Sequence, residues 1–123
     1  MPMKNNSILL IAMITVLMFV FSAGTIYAAD QKEIVIKVTV KKFEYSPNSI
    51  KIKKGVPVIL EFTSLDVMHG FNCPKLGVRT DIEPGKVSRV RILAQKAGVY
   101  EFHCDVFCGD GHEDMYGKII VED

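Results

Sequence analysis

The chain has 123 residues, of which 49% are hydrophobic and 24% are charged, so it is too short for two domains and too apolar to be disordered. Its 15 Lys and Arg nearly cancel its 14 Asp and Glu, and no basic run exceeds two residues, which argues against a nucleic-acid partner. Three Cys and three His limit any metal site to a short set of candidate ligands: His69, His103, His112, Cys73, Cys104 and Cys108.

The first 29 residues have the layout of an export signal or a membrane anchor. A short head with Lys4 precedes the apolar run 8–21, and small residues follow it, as in a secretory signal peptide. The uncharged stretch 5–29 is also long enough to cross a bilayer, which needs about 20 residues. We predict a cleaved signal peptide or a retained hydrophobic helix at 1–29. Either would place residues 30–123 in the periplasm or on the outer face of the cytoplasmic membrane.

The rest of the chain alternates short β-like runs with turn-forming residues. The run 34–41 has an apolar residue at every second position, which is the period of a half-buried strand. Six further runs follow in chain order, separated by turns rich in Pro, Gly and Asn: 50–53, 56–63, 68–72, 87–93, 99–104 and 116–121. No amphipathic helix is evident after residue 30. The pattern predicts an all-β, antiparallel Greek-key sandwich.

The loop between the last two predicted strands carries four candidate metal ligands. Cys104, Cys108, His112 and Met115 have the spacing C-x3-C-x3-H-x2-M. Thiolate, imidazole and thioether are soft or borderline ligands, which favour copper, zinc or iron–sulfur chemistry over magnesium or calcium. The Met favours copper, because zinc sites prefer Cys and His and the paired C-x2-C elements of a zinc finger are absent.

The number of copper ions stays open on spacing alone. A mononuclear blue site uses one Cys, two His and a weak axial Met, which this loop and a distant His would supply. Two thiolates four residues apart would instead bridge two coppers, with one imidazole for each metal. His69 is the natural second imidazole, because it follows a predicted strand and the adjacent Gly70 permits close backbone contact.

The other Cys and His interpretations are simpler. In an exported protein, Cys104 and Cys108 would alternatively form a disulfide, although a disulfide does not require the trailing His and Met. His103 is next to Cys104 on a predicted strand, so its side chain should point to the opposite face and lie on the surface. Cys73 is interpreted as a small buried hydrophobe or a free thiol.

Several segments match the pattern of one known family: Phe43-Glu-Tyr45-Ser-Pro47-Asn, Asp66-Val-Met-His69-Gly-Phe71, Leu76-Gly-Val-Arg79-Thr-Asp81, Pro84-Gly85, the loop 104–115, and Tyr116-Gly-Lys-Ile-Ile-Val121. On these motifs the chain resembles the copper A (CuA) cupredoxin domain of cytochrome c oxidase subunit II. The resemblance covers residues 43–121 and implies a Greek-key cupredoxin sandwich. Subunit II usually has two transmembrane helices and this chain at most one, so a single-helix subunit and a freestanding CuA protein are both expected forms.

The resemblance also implies the ligands and the function. It implies two copper ions with two bridging thiolates, one imidazole for each copper and two weak ligands: Cys104 and Cys108, His69 and His112, Met115 and the main-chain carbonyl of Val106. The implied function is one-electron transfer in a respiratory chain, from cytochrome c or another small redox carrier towards a terminal oxidase. A haem-copper oxidase subunit I is then a partner, as is the membrane through residues 5–29 if they are not cleaved. The chain would catalyse no bond-making step of its own.

Residues around the loop suggest a docking surface. Phe71 stands where many family members have Trp near the surface that accepts electrons. Phe71 and Phe107 are otherwise expected to be core-like. Four acids lie in the loop without any Lys or Arg and would steer a basic partner: Asp105, Asp110, Glu113 and Asp114.

Two rival functions remain open at this stage. One is a mononuclear copper carrier in which Cys104 is idle. The other is a copper-trafficking or assembly protein with an exchangeable site.

Overall fold

A computed structural model describes residues 32–123 of the chain. The expected signal peptide or anchor at 1–29, with its hydrophobic helix, therefore lies outside the described residues. Within residues 32–123, no helix is long and apolar enough to cross a membrane.

Residues 32–123 form nine strands and two single-turn 3-10 helices, and none of them is in an α-helix. The strands are β1 Ile34–Lys41, β2 Glu44–Ser46, β3 Ser49–Lys53, β4 Val58–Ser64, β5 His69–Cys73, β6 Val78–Ile82, β7 Val87–Ile92, β8 Gly98–His103 and β9 Tyr116–Glu122. The 3-10 turns are Pro74–Leu76 and His112–Asp114. The prediction of an all-β domain is confirmed.

The strands form a sandwich of two sheets, with the orders β2-β1-β4-β7 and β3-β9-β8-β5-β6. The expectation of a wholly antiparallel sandwich is wrong, because β1 pairs with β4 and β3 pairs with β9 in parallel. The chain leaves the first sheet after β2, contributes β3 to the second sheet and returns as β4. It therefore enters β4 in the same direction as β1, which a short hairpin would not allow.

Two strands are missing from the sequence prediction. The strand β2 has three residues and ends just before Pro47, too short a run for a periodic pattern. The strand β6 has the sequence Val-Arg-Thr-Asp-Ile. Its first four residues belong to the family motif 76–81, for which no secondary structure was predicted. Both strands form because a neighbour supplies a ladder: β1 pairs with β2, and β5 pairs with β6.

An aromatic cluster fills the core between the sheets. Ring centroids are 4.7 Å apart for Phe62 and Phe71, and 5.0 Å apart for Phe71 and Phe102. Tyr45 packs edge-on against Phe102, also at 5.0 Å. All four rings are at most 1% exposed, and burying each one stabilises the fold by about 1.5–3 kcal/mol. The cluster is a rigid base for β5 and β8, the strands next to the candidate ligands.

The strands β8 and β9 approach closely at Gly117. Phe102 and Gly117 are directly opposite each other in the ladder, and a Cβ at position 117 would overlap the Phe102 ring and the Asn48 carbonyl oxygen. Just beyond this point, the Cys104 N–H donates to the Met115 carbonyl at 3.1 Å. The absent side chain at 117 therefore sets the spacing of the two strands that bracket the ligand loop.

We expect the substitution Gly117→Ala to destabilise the protein by about 1–3 kcal/mol, because the added methyl group has no space between β8, β9 and Asn48. Chemical denaturation of the full chain measures this loss. Lys118→Ala, at the next and exposed position, should change the free energy of unfolding by less than about 0.5 kcal/mol. Equal stability of the two variants would contradict the close approach.

Candidate metal centre

Three segments converge at one end of the sandwich. His69 is the first residue of β5, and Cys104 directly follows β8. Cys108 lies in the loop that continues into the second 3-10 turn. The candidate ligand atoms of these three residues all lie within 4.8 Å of one another, and all three residues are buried. Antiparallel pairing of β5 with β8 produces this meeting. Asn72 is opposite His103, so the residues that follow β8 run back along β5 towards His69.

The Cys108 sulfur is at the centre of the cluster. It is 3.8 Å from the Cys104 sulfur, 3.4 Å from His112 Nδ1 and 3.9 Å from the Met115 sulfur. The Cys104 sulfur is 3.1 Å from the Val106 carbonyl oxygen. The structure thus brings together the six ligands that the family resemblance implies: His69, Cys104, Val106, Cys108, His112 and Met115. The cysteines are free thiols and are not joined as a disulfide.

His69 presents one ring nitrogen without a partner. Its Nε2 is 2.7 Å from Asp66 Oδ1, while its buried Nδ1 is the only buried side-chain nitrogen or oxygen in residues 32–123 that lacks a hydrogen bond. An unsatisfied buried polar atom costs about 1–3 kcal/mol. With Nε2–H donating to the carboxylate, Nδ1 holds the lone pair that a metal ion requires.

Asp66 fixes this orientation. Its Oδ1 also accepts from the Val67 N–H at 2.6 Å, and its Oδ2 accepts from the Lys42 N–H at 2.7 Å. Partial burial of Asp66 raises its pKa, but the hydrogen bonds from Lys42, His69 and Val67 outweigh that effect and lower the pKa to about 2. The carboxylate is therefore ionised at neutral pH and holds the His69 ring in one tautomer. The sequence analysis assigned no role to Asp66.

The expected close approach at Gly70 is confirmed. The Gly70 N–H donates to the Cys104 sulfur at 3.3 Å, and the Tyr45 hydroxyl donates to the Gly70 carbonyl at 2.6 Å. A Cβ on Gly70 would overlap Asp105 Oδ1. The peptide of Gly70 is thus held in place on both sides, with its N–H directed at a candidate ligand.

The two site thiols are both buried. Burial, and then the nearby Cys104 sulfur, raise the pKa of Cys108 to about 11. At neutral pH the Cys108 thiol is therefore protonated unless a cation lies beside it. A bound metal ion would favour the Cys108 thiolate and release its proton.

The remaining Cys and His lie apart from the cluster. His103 is exposed on β8, as expected from its opposite face. Cys73 is a fully buried free thiol at the far end of β5, and burial raises its pKa. Both predictions are confirmed.

The two phenylalanines have opposite environments. Phe71 is fully buried against Phe62, so the prediction that it is core-like is confirmed and its ring does not lie on an electron-accepting surface. Phe107 is 77% exposed, with its ring centroid 5.9 Å from that of His112, so the expectation that it is core-like is wrong. The loop turns its sulfur ligands inwards, which leaves the side chain at 107 facing outwards. The aromatic group on the surface beside the site is Phe107.

The acids of the loop also divide into two kinds. Asp110, Glu113 and Asp114 are exposed and line a shallow depression together with Phe107 and His112. The side chain of Asp105 is 21% exposed and is paired with Arg79, so its negative charge is compensated within the protein. Sequence reasoning noted Arg79 only as part of a family motif, because nothing local to it predicts a contact with residue 105.

Comparisons with known proteins place the chain in a family. A cupredoxin-like domain matches residues 10–121. Cytochrome c oxidase subunit 2 of Thermus thermophilus is 32% identical over 101 residues, which cover 82% of this chain and 75% of that protein. For a second subunit 2 sequence from the same species the identity is also 32%, and the covered share of that protein is 60%.

Solved structures agree in fold. The periplasmic domain of subunit II of cytochrome oxidase of Bradyrhizobium japonicum superposes with a TM-score of 0.68 at 23% identity, covering 73% of this chain and 84% of that domain. A chain of a heme-copper terminal oxidase dimer superposes with a TM-score of 0.66 at 28% identity, covering 95% of this chain and 94% of that chain. These matches agree with the sandwich described above.

The proximity of the two site thiols predicts their selective oxidation. We expect diamide to convert Cys104 and Cys108 of the metal-free chain to an intramolecular disulfide, with two thiol hydrogens and two electrons passing to the diazene, because the sulfurs are 3.8 Å apart. Thiol titration should fall from three thiols to one per chain.

The remaining thiol should be that of the buried Cys73. The variant Cys73→Ser should therefore fall from two thiols to none. Loss of all three thiols in the unsubstituted chain, or disulfide-linked dimers, would contradict the arrangement.

Proposed function

This chain belongs to the cupredoxin-like family, as a CuA domain of the cytochrome c oxidase subunit II type, and we propose that it transfers single electrons through a binuclear copper centre. The observation that carries the proposal is the pair of buried free sulfurs, 3.8 Å apart, with a histidine nitrogen near each end of the cluster. A mononuclear site would use one thiolate and leave the second unexplained. Two thiolates shared between two copper ions use both.

In this proposal, each candidate residue has a distinct role. Cys104 and Cys108 would be shared between the two copper ions, and His69 and His112 would each bind one of them. Met115 and the Val106 carbonyl would be weak ligands. The orphaned Nδ1 of His69 and the near-complete burial of Met115 support the assignment. Copper fits this donor set, because thiolate, thioether and imidazole are the ligands it prefers.

The protein supplies a rigid, dry site. When bound, the copper pair provides a one-electron redox couple. The Asp66 carboxylate holds the His69 ring, and the Gly70 N–H donates to the Cys104 sulfur. Because both groups are on or beside β5, the ligands are fixed to the sheet and need to move little when the charge of the site changes.

We further propose the partners and the location. Electrons would come from cytochrome c or another small redox carrier and pass to a haem-copper oxidase subunit I. The relatives support this, since they are oxidase subunits and one solved neighbour is a periplasmic domain of subunit II. Residues 1–29 would act as signal peptide or membrane anchor, and residues 30–123 would face the periplasm.

The surface beside the site fits a basic carrier. Phe107 is an exposed apolar contact next to His112, and three acids surround the same depression: Asp110, Glu113 and Asp114. An apolar centre with charged surroundings provides close contact and electrostatic steering.

The first test is the copper content and electron paramagnetic resonance spectrum of the full chain loaded with copper. We expect two coppers per chain and one unpaired electron shared over both nuclei. Cys73→Ser should leave the spectrum unchanged, because that thiol is remote from the cluster. Cys104→Ser should abolish the shared electron.

A different outcome would select a rival function. One copper with hyperfine splitting from a single nucleus, retained in Cys104→Ser, would indicate a mononuclear carrier. Bound Cu(I) without a stable mixed-valence state would indicate copper trafficking or assembly.

A second test concerns the acidic surface. Neutralising the three exposed acids together, by Asp110→Asn, Glu113→Gln and Asp114→Asn, should lower the rate of electron transfer from a basic cytochrome c by about tenfold at low ionic strength. The difference should shrink as salt is added, since salt screens exposed charges. Glu83→Gln and Glu101→Gln, both outside the loop, should have little effect. A salt-independent difference would argue against steering.

A further inference from the structure

The guanidinium of Arg79 links two elements of the site. Its Nε is 2.5 Å from Asp105 Oδ2 and its Nη2 is 3.0 Å from Asp105 Oδ1, which is a bidentate ion pair. Its Nη2 is also 2.7 Å from Asp81 Oδ1. Arg79 and Asp81 are on β6, whereas Asp105 is in the ligand loop between Cys104 and Val106. One side chain thus ties the first part of the loop to the edge strand of the sheet.

The glycine on the intervening strand makes this link possible. A Cβ at Gly70 would overlap Asp105 Oδ1 and lie 3.3 Å from the Asp105 nitrogen. The bare backbone of β5 therefore lets the carboxylate reach across to β6. The same Gly70 donates its N–H to the Cys104 sulfur, so the positions of the carboxylate and the sulfur are coupled through one peptide.

The second part of the loop is held by a different contact. The ring of Phe43 lies over Gly109 and Gly111, 3.4 Å and 2.9 Å from the Cβ positions of these glycines. The side-chain hydrogen bonds and ion pairs of Arg79 are to Asp81 and Asp105, so loss of its side chain should loosen the Cys104–Val106 part and leave the Gly109–Gly111 part in place. This separation makes the role of Arg79 testable.

We propose that Arg79 is a positioning residue of the metal centre. Its guanidinium clamps Asp105 against Gly70 and compensates the negative charge of Asp105 beside Cys104 and Cys108. The charge compensation rests on the proposed copper function. The clamp on Asp105 also applies to the metal-free protein, because the ion pair requires no copper.

The clamp and the charge compensation affect different measurable properties of the protein. Removal of either partner loosens the loop, so Arg79→Gln and Asp105→Asn should both expose the site thiols. The charge effect has opposite signs for the two variants. In Arg79→Gln the uncompensated Asp105 carboxylate stabilises the more positive oxidised centre and lowers the reduction potential. In Asp105→Asn that carboxylate is lost while Arg79 stays paired with Asp81, so the potential rises.

The first experiment measures thiol alkylation in the metal-free full chain with the Cys73→Ser background. Arg79→Gln and Asp105→Asn should react roughly two- to fivefold faster, the range that one partly exposed pair contributes. Arg79→Lys keeps the charge but loses the planar fork, and should be intermediate. Arg91→Gln is the matched control, since Arg91 pairs with Glu33 at 2.7 Å on the other sheet and should react like the unsubstituted chain.

The second experiment measures the reduction potential of the copper-loaded full chain. We expect a lower potential for Arg79→Gln, a higher one for Asp105→Asn and a near-normal one for the double variant. Shifts in the same direction for both single variants would overturn the charge compensation. Alkylation rates equal to that of Arg91→Gln would overturn the clamp. If the unsubstituted chain failed to bind two coppers, the proposed function would be refuted, while the alkylation rates would still decide the clamp.

Discussion

Two buried sulfurs 3.8 Å apart are the constraint on which the rest of this protein depends. Burial and the neighbouring Cys104 sulfur raise the pKa of Cys108, so this sulfur does not become a stable thiolate at neutral pH without a neighbouring positive charge. The fold keeps these groups together because Cys104 directly follows β8 and the loop returns to β9 at Met115. A bound metal cation would supply that positive charge. The unpartnered Nδ1 of His69 offers a further lone pair to a cation at the same place.

The site is held by contacts from outside the ligand loop. Asp66 orients His69, the Gly70 peptide reaches Cys104, and Phe43 covers the later part of the loop. Asp66 and Gly70 lie beside or on β5, whereas Phe43 lies between β1 and β2, and each contact reaches a different part of the cluster. Such a distribution suits an electron-transfer site, because ligands fixed from several sides change position little between redox states. The surface at Phe107 is the exception, since it is open to solvent and adjoins His112.

The sequence predicted the nature of the fold and the members of the cluster well, because both depend on local pattern. Alternation of apolar residues indicated strands, and the spacing from Cys104 to Met115 indicated soft metal ligands. The sequence-based prediction failed for features that depend on strand pairing. The short strand β6 forms on β5, and the parallel pairing of β1 with β4 arises from the path of the chain between the sheets. Phe107 was misplaced for a related reason, since neither alternation nor composition shows to which side a loop directs a side chain.

The sequence alone therefore determined the chemistry: which donor atoms are available, that they are soft, and that they occupy one loop and one distant histidine. The tertiary structure decided how these groups are oriented and what surrounds them. Asp66 and His69 are close in the chain, and their contact was open to inference. The contact of Arg79 with Asp105 spans 26 residues and exists only because β5 presents Gly70 between them. Long-range contacts of this kind follow from packing, which no local pattern encodes.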